Sequence, residues 1–484
     1  MSVNQQQAPL WQALQDSAHS NQIAFHTPGH KRGRGLPGAI LQHFGSALGS
    51  ADLPELPELD NLFAPEAAIQ EAQVLAAQLF GAEQTWFLTN GSTCGILAAL
   101  LTVCRSGEQI IVPRNLHTSV ISGLVLSGAV PIFVQPTLDS QLNLAYSLSV
   151  QDIQLAFETY PQAKAILLVH PTYEGICGDV AAIATFAHDH GIPLIVDEAH
   201  GPHFAFHPQF PQSALAAGAD LAVQSTHKML GALTQAAMLH VQGPLIDRPR
   251  LSQTLQLVQS TSPNYLLLAS LDAARHQLAH AGLNVMEQVL TLANKAHTQL
   301  NDLPNYRPWD PIDTTPGCIA LDQTRLTIPV DPFGAQAYNL DQTLIDTYRI
   351  SAELITPDHL TFLITLGNTE DDINRLLLAL RELYQPPLQL SSLTYSTHKT
   401  PISVPALSPR EAYWHPADAV PILEAVDRIS TESICPYPPG IPILLPGEKI
   451  QKQDLDWLLQ LKQQGGIITG CSDPRFQTLK VVRE

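Results

Sequence analysis

The sequence predicts an α/β protein with a large, mostly parallel sheet and a smaller α+β C-terminal domain. Between about Gly81 and His240, short apolar runs end in polar or glycine-containing clusters, and longer stretches with helical spacing separate them. The runs are continuous rather than alternating, which is typical of strands buried on both faces. Alternation of strand and helix indicates a parallel sheet covered by helices. The runs, each with the polar residues that follow, are TWFLTNGST, QIIVPRN, AVPIFVQP, AILLVHPTYEG, PLIVDEAHG and DLAVQSTHK.

The order of these patterns predicts three regions. Residues 1–60 form an N-terminal arm that contains a basic loop rich in glycine and proline, FHTPGHKRGRGLPG. Residues 61–285 form the large domain, and a helix over roughly Pro65 to Phe80 leads into its sheet. Residues 286–484 form the C-terminal part, with a proline-rich linker near residues 385–410.

Composition limits the classes of function. The chain has 484 residues, of which 45% are hydrophobic, which is enough for more than one packed domain. The formal net charge of −19 opposes binding to phosphate backbones, so we expect no nucleic-acid partner. No apolar run is long enough for a transmembrane helix, and the first residues lack a signal-peptide pattern. We therefore expect a cytoplasmic protein without a membrane partner. Six unevenly spaced cysteines predict neither a disulfide framework nor a zinc site.

Polar residues at the predicted strand ends indicate where a ligand binds, since open α/β sheets bind ligands outside the carboxyl ends of their strands. At the first of these ends, Gly91, Ser92 and Thr93 precede a helical pattern. Backbone N–H groups at a helix start, together with hydroxyl groups, form an anion site that suits a phosphate. The same residues also suit a helix cap, and this stretch by itself leaves both interpretations open.

Asp197 ends a second apolar run, in PLIVDEAHG. A carboxylate at this position can bind a metal, act as a base, pair with a protonated heterocycle or cap a helix. His200 and His203 follow closely, but their spacing does not match a zinc-binding helix, so we expect no metal.

Lys228 follows a third apolar run, in DLAVQSTHK. Most lysines lie solvated on the surface, but partial desolvation at a strand end favours the neutral amine that attacks aldehydes. Pyridoxal 5′-phosphate (PLP) requires hydroxyl and amide groups for its phosphate, a carboxylate for its ring nitrogen and a lysine for its aldehyde. The occurrence of all three, in this order, favours a PLP enzyme.

From His26 to Glu448 the chain contains, in this order, the motifs HTPGHKRG, NGSTCGI, PRNLHTSV, HPTYEG, DEAHG, STHK, LTQAA and YPPGIPILLPGE. These motifs resemble those of the ornithine/lysine/arginine decarboxylases of PLP fold type I. The length is similar to the short form of the family, which lacks an N-terminal wing domain. The resemblance implies the PLP-dependent transferase fold type I. It also implies PLP-dependent decarboxylation of a small cationic amino acid, lysine or arginine rather than ornithine, to CO2 and a polyamine-type amine. A homodimer or higher homo-oligomer is implied as well, because sites of this fold type are completed by a second subunit.

The resemblance also implies a role for each matching residue. Lys228 binds the aldehyde of PLP, Asp197 keeps the ring nitrogen protonated, and His117 stacks on one ring face with Ala199 on the other. The residues implied to be catalytic are Lys228, Asp197, His117 and His200. The residues implied to surround the phosphate are Gly91, Ser92, Thr93, Ser225 and His227. The residues implied to lie near the cofactor hydroxyl are Thr172 and His200.

In the C-terminal part, the resemblance implies that Glu448 of the PGE motif holds the distal cationic group of the substrate.

Three positions depart from the pattern of many relatives. Phe63 and Ala67 stand where histidine and glycine are common, and Thr118 stands where lysine is common. These departures bear on substrate entry or proton donation rather than on the PLP residues.

Two other functions are compatible with the same residues. One is a different fold-type-I reaction, such as transamination or another lyase reaction, and the other is a non-catalytic PLP-binding scaffold. Transamination commonly uses an arginine for the substrate α-carboxylate, and few arginines lie in the C-terminal segment. Retention of the lysine, the aspartate and the phosphate residues argues against a degenerate scaffold.

Overall fold

The computed structural model describes residues 4–20, 22–139, 144–301, 308–310, 315–330, 337–357, 359–383, 401–437 and 440–484. The chain divides into two compact units. The first comprises Met1–Thr102 and Asp197–Met286, and the second comprises Val103–Val196 and Glu287–Glu484. Most of the predicted proline-rich linker lies outside the described residues, and the predicted domain boundaries stay a prediction. In the described part of the chain, no helix is both long enough and apolar enough to cross a membrane.

The described strands, in chain order, are β1 (Gln84–Leu88), β2 (Gln109–Pro113), β3 (Val130–Val134), β4 (Ile166–Val169), β5 (Ile176–Cys177), β6 (Leu194–Asp197), β7 (Leu221–Gln224), β8 (Ala237–Val241), β9 (Ala320–Leu321), β10 (Arg325–Pro329), β11 (Leu354–Ile355), β12 (His359–Leu363), β13 (Ile402–Ser403), β14 (Ala417–Pro421), β15 (Cys435–Tyr437), β16 (Ile467–Thr469) and β17 (Thr478–Val482).

The described α-helices are α1 (Pro9–His19), α2 (Gly38–Phe44), α3 (Ser46–Ala51), α4 (Ala68–Phe80), α5 (Gly91–Val103), α6 (Thr118–Ser127), α7 (Val150–Thr159), α8 (Val180–Asp189), α9 (Thr226–Met229), α10 (Arg248–Val258), α11 (Tyr265–Asn301), α12 (Ala337–Thr343), α13 (Glu370–Leu383), α14 (Pro409–Trp414) and α15 (Lys452–Gln463). The two stretches with helical spacing between the first apolar runs are α5 and α6, so these predictions are confirmed.

The first unit contains the strands β1, β8 and β7, in that spatial order. β8 is antiparallel to both neighbours. The connection from β7 to β8 contains only the one-turn helix α9, whereas a parallel crossover usually contains a full helix. Every residue of β7 and β8 is buried, as the continuous apolar runs predict. This part of the first unit positions Ser225 and Lys228 directly after the end of β7.

Helix α4 begins three residues after Pro65, the predicted start, because the carboxylate of Asp60 binds the chain before it. Asp60 accepts hydrogen bonds from the backbone N–H groups of Glu66, Ala67 and Ile69 at 2.8 to 3.0 Å. The pKa of Asp60 lies below its ordinary value, since these bonds outweigh the opposing effect of burial. A single carboxylate thus replaces the side-chain cap at the start of α4.

The second unit contains the strands β6, β4, β2, β3 and β13, in that spatial order. β2 is parallel to β3 and to β4, and β13 is antiparallel to β3. Ile110, Ile111 and Val112 of β2 have no exposed surface. Strands with buried side chains on both faces are the arrangement that the apolar runs predict. β6 ends at Asp197, the residue at which the chain re-enters the first unit.

Three helices of the second unit begin with capping side chains. His117 accepts a hydrogen bond from the backbone N–H of Ser119 at the start of α6. Ser149 forms a reciprocal capping box with Asp152 at the start of α7, and Asp179 caps α8. Each cap satisfies N–H groups that have no partner within the helix, which fixes where the helix begins.

The C-terminal part of the second unit is built from small antiparallel sheets. β12 lies between β10 and β11, β14 pairs with β17, and β15 pairs with β16. Among the described residues from Cys435 to the start of α15, the only strand is the short β15, since proline lacks the N–H group that helices and ladders use. An apolar cluster that includes Ile434, Leu444 and Leu458 packs beneath this segment.

Candidate active site

The start of helix α5 brings together two residues predicted at the phosphate. The hydroxyl of Ser225 donates to the hydroxyl of Ser92, with 2.8 Å between the oxygens, although the residues are far apart in the chain. Gly91 has a φ of +74°, a conformation that glycine adopts at little cost. Thr93 lies in the first turn of α5 and is exposed. Hydroxyl groups and backbone N–H groups at a helix start are the groups that an anion site requires, and the phosphate role of these residues stays a prediction.

Lys228 lies in the single helical turn α9, where its backbone N–H donates to the carbonyl of Ser225. Its Nζ lies 2.8 Å from Nε2 of His200. The two side chains come from different segments of the chain, and both were predicted to be catalytic. At this distance a proton can pass directly between the amine and the imidazole.

His227, which precedes Lys228, forms a hydrogen bond between its ring and the backbone. Its Nδ1 lies 2.9 Å from the carbonyl oxygen of Ala236, so Nδ1 carries the proton and donates. Burial lowers the pKa of His227, and the charge of Lys228 lowers it further, against the opposing effect of the Ala236 carbonyl. His227 is therefore a neutral ring at neutral pH.

Asp197 is buried at the end of β6, and its Oδ1 accepts a hydrogen bond from the backbone N–H of Ala199 at 3.2 Å. The chain that follows forms turns rather than an α-helix, so the helix-cap interpretation is wrong.

Nearby, His203 packs against the rings of Phe204 and Phe210. Across the described residues, no group of three or more His, Cys, Asp or Glu side chains has the arrangement of a metal site.

In the second unit, His117 closes the start of α6. Its Nδ1 lies 2.8 Å from Oγ of Ser119, and a Cβ atom added at Gly440 would lie 3.8 Å from its Nε2. Gly440 of the C-terminal part therefore lies close to the ring of His117. Thr118, one of the departures from the family pattern, is the first residue of α6 and is half-buried.

Glu448 is held by Arg114, a residue whose role the sequence did not indicate. The Nη2 of Arg114 donates to Oε2 of Glu448 at 2.9 Å, and the two side chains are only 7% and 13% exposed. The same guanidinium donates to the carbonyls of Pro442 and Ile443 at 2.7 and 2.8 Å, and it lies over the ring of Phe133. The available signal was its position within the PRNLHTSV motif, directly after an apolar strand.

Thr172 closes a buried turn between β4 and β5. Its hydroxyl donates to Oε2 of Glu174 at 3.0 Å and accepts from the backbone N–H of Ile176 at 3.2 Å. Burial raises the pKa of Glu174, and the bond from Thr172 and the charge of Arg325 oppose that rise. The predicted role of Thr172 beside the cofactor stays a prediction.

These features define a class of protein: an α/β fold whose strand-end lysine, aspartate and serine pair have the chemistry of a PLP enzyme. The chain matches the family Orn/Lys/Arg decarboxylase, major domain, over residues 8–372, and its C-terminal domain over residues 389–470. The chain belongs to the Orn/Lys/Arg decarboxylase family. The predicted class of enzyme and the family resemblance are thereby confirmed.

Relatives match the chain from end to end. It is 35% identical to an arginine decarboxylase of Bacillus subtilis, over 100% of this chain and 99% of that protein. It is 37% identical to an arginine decarboxylase of Halalkalibacterium halodurans, over 99% and 98% of the two chains. The structure of the constitutive lysine decarboxylase of Escherichia coli shares the fold, with a TM-score of 0.84, 22% identity, and coverage of 99% of this chain and 82% of that one. The predicted fold class is confirmed.

Proposed function

We propose that this protein decarboxylates arginine to CO2 and the corresponding amine, with PLP as cofactor. The observation that carries the substrate is the end-to-end match to two proteins named arginine decarboxylase. Lysine is the second candidate, because the more distant structural relative is a lysine decarboxylase. The set of residues at the site supports the reaction class for either substrate, since it includes no group specific to one head group.

The residues of the first unit fit PLP. The paired hydroxyls of Ser92 and Ser225, with the N–H groups at the start of α5, would hold the phosphate. Gly91, with its positive φ, adds no side chain in front of this helix end. Asp197 offers a buried carboxylate for the ring nitrogen, and Lys228 offers an amine for the aldehyde. When bound, PLP supplies an electron sink for the electron pair that remains as the substrate carboxylate leaves as CO2.

The side chains of this unit hold and move protons around that chemistry. Asp197, as a carboxylate, would keep the ring nitrogen protonated. His200 lies within hydrogen-bonding distance of Lys228 Nζ and would accept a proton from this amine or return one to it. The neutral ring of His227 would add a hydrogen-bonding group beside the phosphate without adding charge.

Residues of the second unit complete the proposal. His117 would stack on the cofactor ring, and Thr172 would contribute beside the cofactor hydroxyl. Glu448 would contribute negative charge for the distal cationic group of the substrate. A carboxylate that already pairs with Arg114 has a second oxygen, so the ion pair does not exclude this role.

The test is release of CO2 from carboxyl-labelled arginine, lysine and ornithine by the purified protein with added PLP. The matched control is Lys228→Ala. We expect release from arginine, and a loss of about a thousandfold or more in the variant, because the nucleophilic amine is gone. PLP attachment is followed separately by the visible absorption band and its loss on borohydride reduction.

Each other outcome has a definite meaning. Release from lysine alone would change the substrate and leave the cofactor assignment intact. Wild-type activity in Lys228→Ala would remove Lys228 from the chemistry. Absence of release from all three amino acids, with PLP attached, would overturn decarboxylation in favour of another fold-type-I reaction.

A further inference from the structure

The carboxyl group of Glu198 is fully buried and takes no part in the chemistry above. Its Oε1 accepts a hydrogen bond from the backbone N–H of Ala214 at 2.7 Å, and its Oε2 accepts from the side-chain amide of Gln224 at 2.8 Å. Both donors are neutral. Burial raises the pKa of Glu198 to about 8, although both hydrogen bonds oppose the rise. A buried carboxyl held by neutral donors stabilises a fold less than an apolar side chain of similar size, so packing alone does not account for it.

Gln224 connects this carboxyl to two more buried side chains. Its Oε1 lies 3.1 Å from Nε2 of His240, and Nδ1 of His240 lies 2.7 Å from Oγ1 of Thr85. Because the amide nitrogen of Gln224 donates to Glu198, its oxygen accepts from the Nε2–H of His240, and Thr85 donates to Nδ1. The ring of Phe80 stacks on His240. Burial lowers the pKa of His240 to about 3, so this ring is neutral.

The hydrogen-bonded relay Glu198–Gln224–His240–Thr85 joins two segments of the candidate active site. Glu198 lies within residues 197–200, and Gln224 directly precedes residues 225–228. A backbone hydrogen bond of 2.9 Å from Glu198 to Val223 joins the same parts of the chain. The carboxyl-to-amide contact adds a side-chain restraint, which fixes how the two segments lie relative to each other.

We propose that Glu198 is a positioning residue that, through Gln224, keeps His200 within reach of Lys228. The inference rests on the proposed function, because the 2.8 Å contact between those two side chains matters for rate only if the amine reacts. A displacement of about 1 Å in such a contact lowers a rate by roughly a hundredfold. Substitution of a residue that served packing alone would change the stability of the protein without a matching change in kcat.

The direction of the hydrogen bonds provides specific variants. Glu198→Ala removes the acceptor. Gln224→Glu replaces the amide donor with a second carboxyl group, which repels the ionised form of Glu198. Glu198→Gln keeps the shape, and the relay can reverse: the introduced amide donates to Oε1 of Gln224, whose nitrogen then donates to His240. The double variant that combines Glu198→Gln with Gln224→Glu, the exchanged pair, restores a donor opposite an acceptor at every contact.

The measurement combines steady-state kinetics with hydrogen exchange of residues 197–203 and 225–229 in the PLP-loaded protein. We expect Glu198→Ala and Gln224→Glu each to lower kcat at least about tenfold, with KM changed less than about threefold, and to speed exchange in both segments. We expect Glu198→Gln and the exchanged pair to stay within about threefold of the wild-type kcat. The control variant is Thr254→Val, which removes a buried hydroxyl outside the relay. Thr254 lies in α10, and its hydroxyl donates to the carbonyl of Arg250.

Wild-type kcat and wild-type exchange in Glu198→Ala would overturn the proposal. An exchanged pair as slow as Gln224→Glu would also overturn it, because the hydrogen-bond direction would then be irrelevant. If Glu198→Ala does not fold, Gln224→Glu and the exchanged pair decide the question. Exchange needs no substrate, so altered exchange in a protein that releases no CO2 would overturn the proposed function and leave the positioning role standing.

Discussion

Glu198 also links the stability of the protein to pH. Its pKa rises from 4.5 to about 8 on folding, because burial favours the neutral carboxyl. A group whose pKa is raised by folding binds its proton more tightly in the folded state. The stabilisation is therefore complete below pH 4.5 and is lost as the pH rises toward 8. This sign is opposite to that of a carboxylate in a salt bridge.

The variant Glu198→Gln isolates this contribution, since its amide does not titrate. We expect the free energy of unfolding of the wild type, relative to the variant, to fall as the pH rises from 5 to 8. The slope approaches about 1.4 kcal/mol per pH unit at most, the value for one proton. Urea unfolding at pH 5, 6, 7 and 8 measures it. A difference that does not change with pH would mean that Glu198 is ionised throughout this range.

At the scale of elements, the side chain of Arg114 holds residues 440–448 of the C-terminal part to the end of β2. Arg114 directly follows that strand, and its guanidinium binds two carbonyls and the carboxylate of Glu448. Pro442 and Pro446 have no backbone N–H group, and Arg114 adds donors from outside the segment to the carbonyls of Pro442 and Ile443. The position of the segment against His117 therefore depends on Arg114.

Arg114→Gln, Glu448→Gln and the double variant separate the two roles of Glu448. We expect both single variants to speed proteolysis within residues 435–450, because each breaks the buried ion pair. If Glu448 also binds the substrate head group, Glu448→Gln raises KM about tenfold or more beyond Arg114→Gln, as a lost charged hydrogen bond would. Equal KM values in the two single variants and in the double variant would limit Glu448 to the ion pair.

At the scale of the whole molecule, we expect a homodimer or a larger homo-oligomer. The family resemblance predicts that a second subunit completes the site. Sedimentation of the PLP-loaded protein should give at least twice the chain mass of 52.6 kDa. Specific activity should fall on dilution into the range where monomer forms. A monomer with full activity at all dilutions would contradict the expectation.

Much of the fold and part of the site follow from local patterns in the sequence. Continuous apolar runs identified buried strands, because side chains on both faces of such strands avoid water. The positions of Asp197 and Lys228 at strand ends followed from the same runs. The helix predicted over roughly Pro65 to Phe80 is present as α4, and its first residue is Ala68 because Asp60 binds the preceding N–H groups through a loop that no periodicity describes.

The sequence by itself determined the α/β pattern and the family, and it predicted residues for PLP, since each depends on residue type and short-range spacing. Only the tertiary structure decided which distant groups meet. Ser92 with Ser225, Arg114 with Glu448, and Glu198 with Gln224 are pairs of this kind. Such contacts form because packing brings strand ends and loops together, and the direction of a hydrogen bond there depends on the partner rather than on the neighbours in the chain.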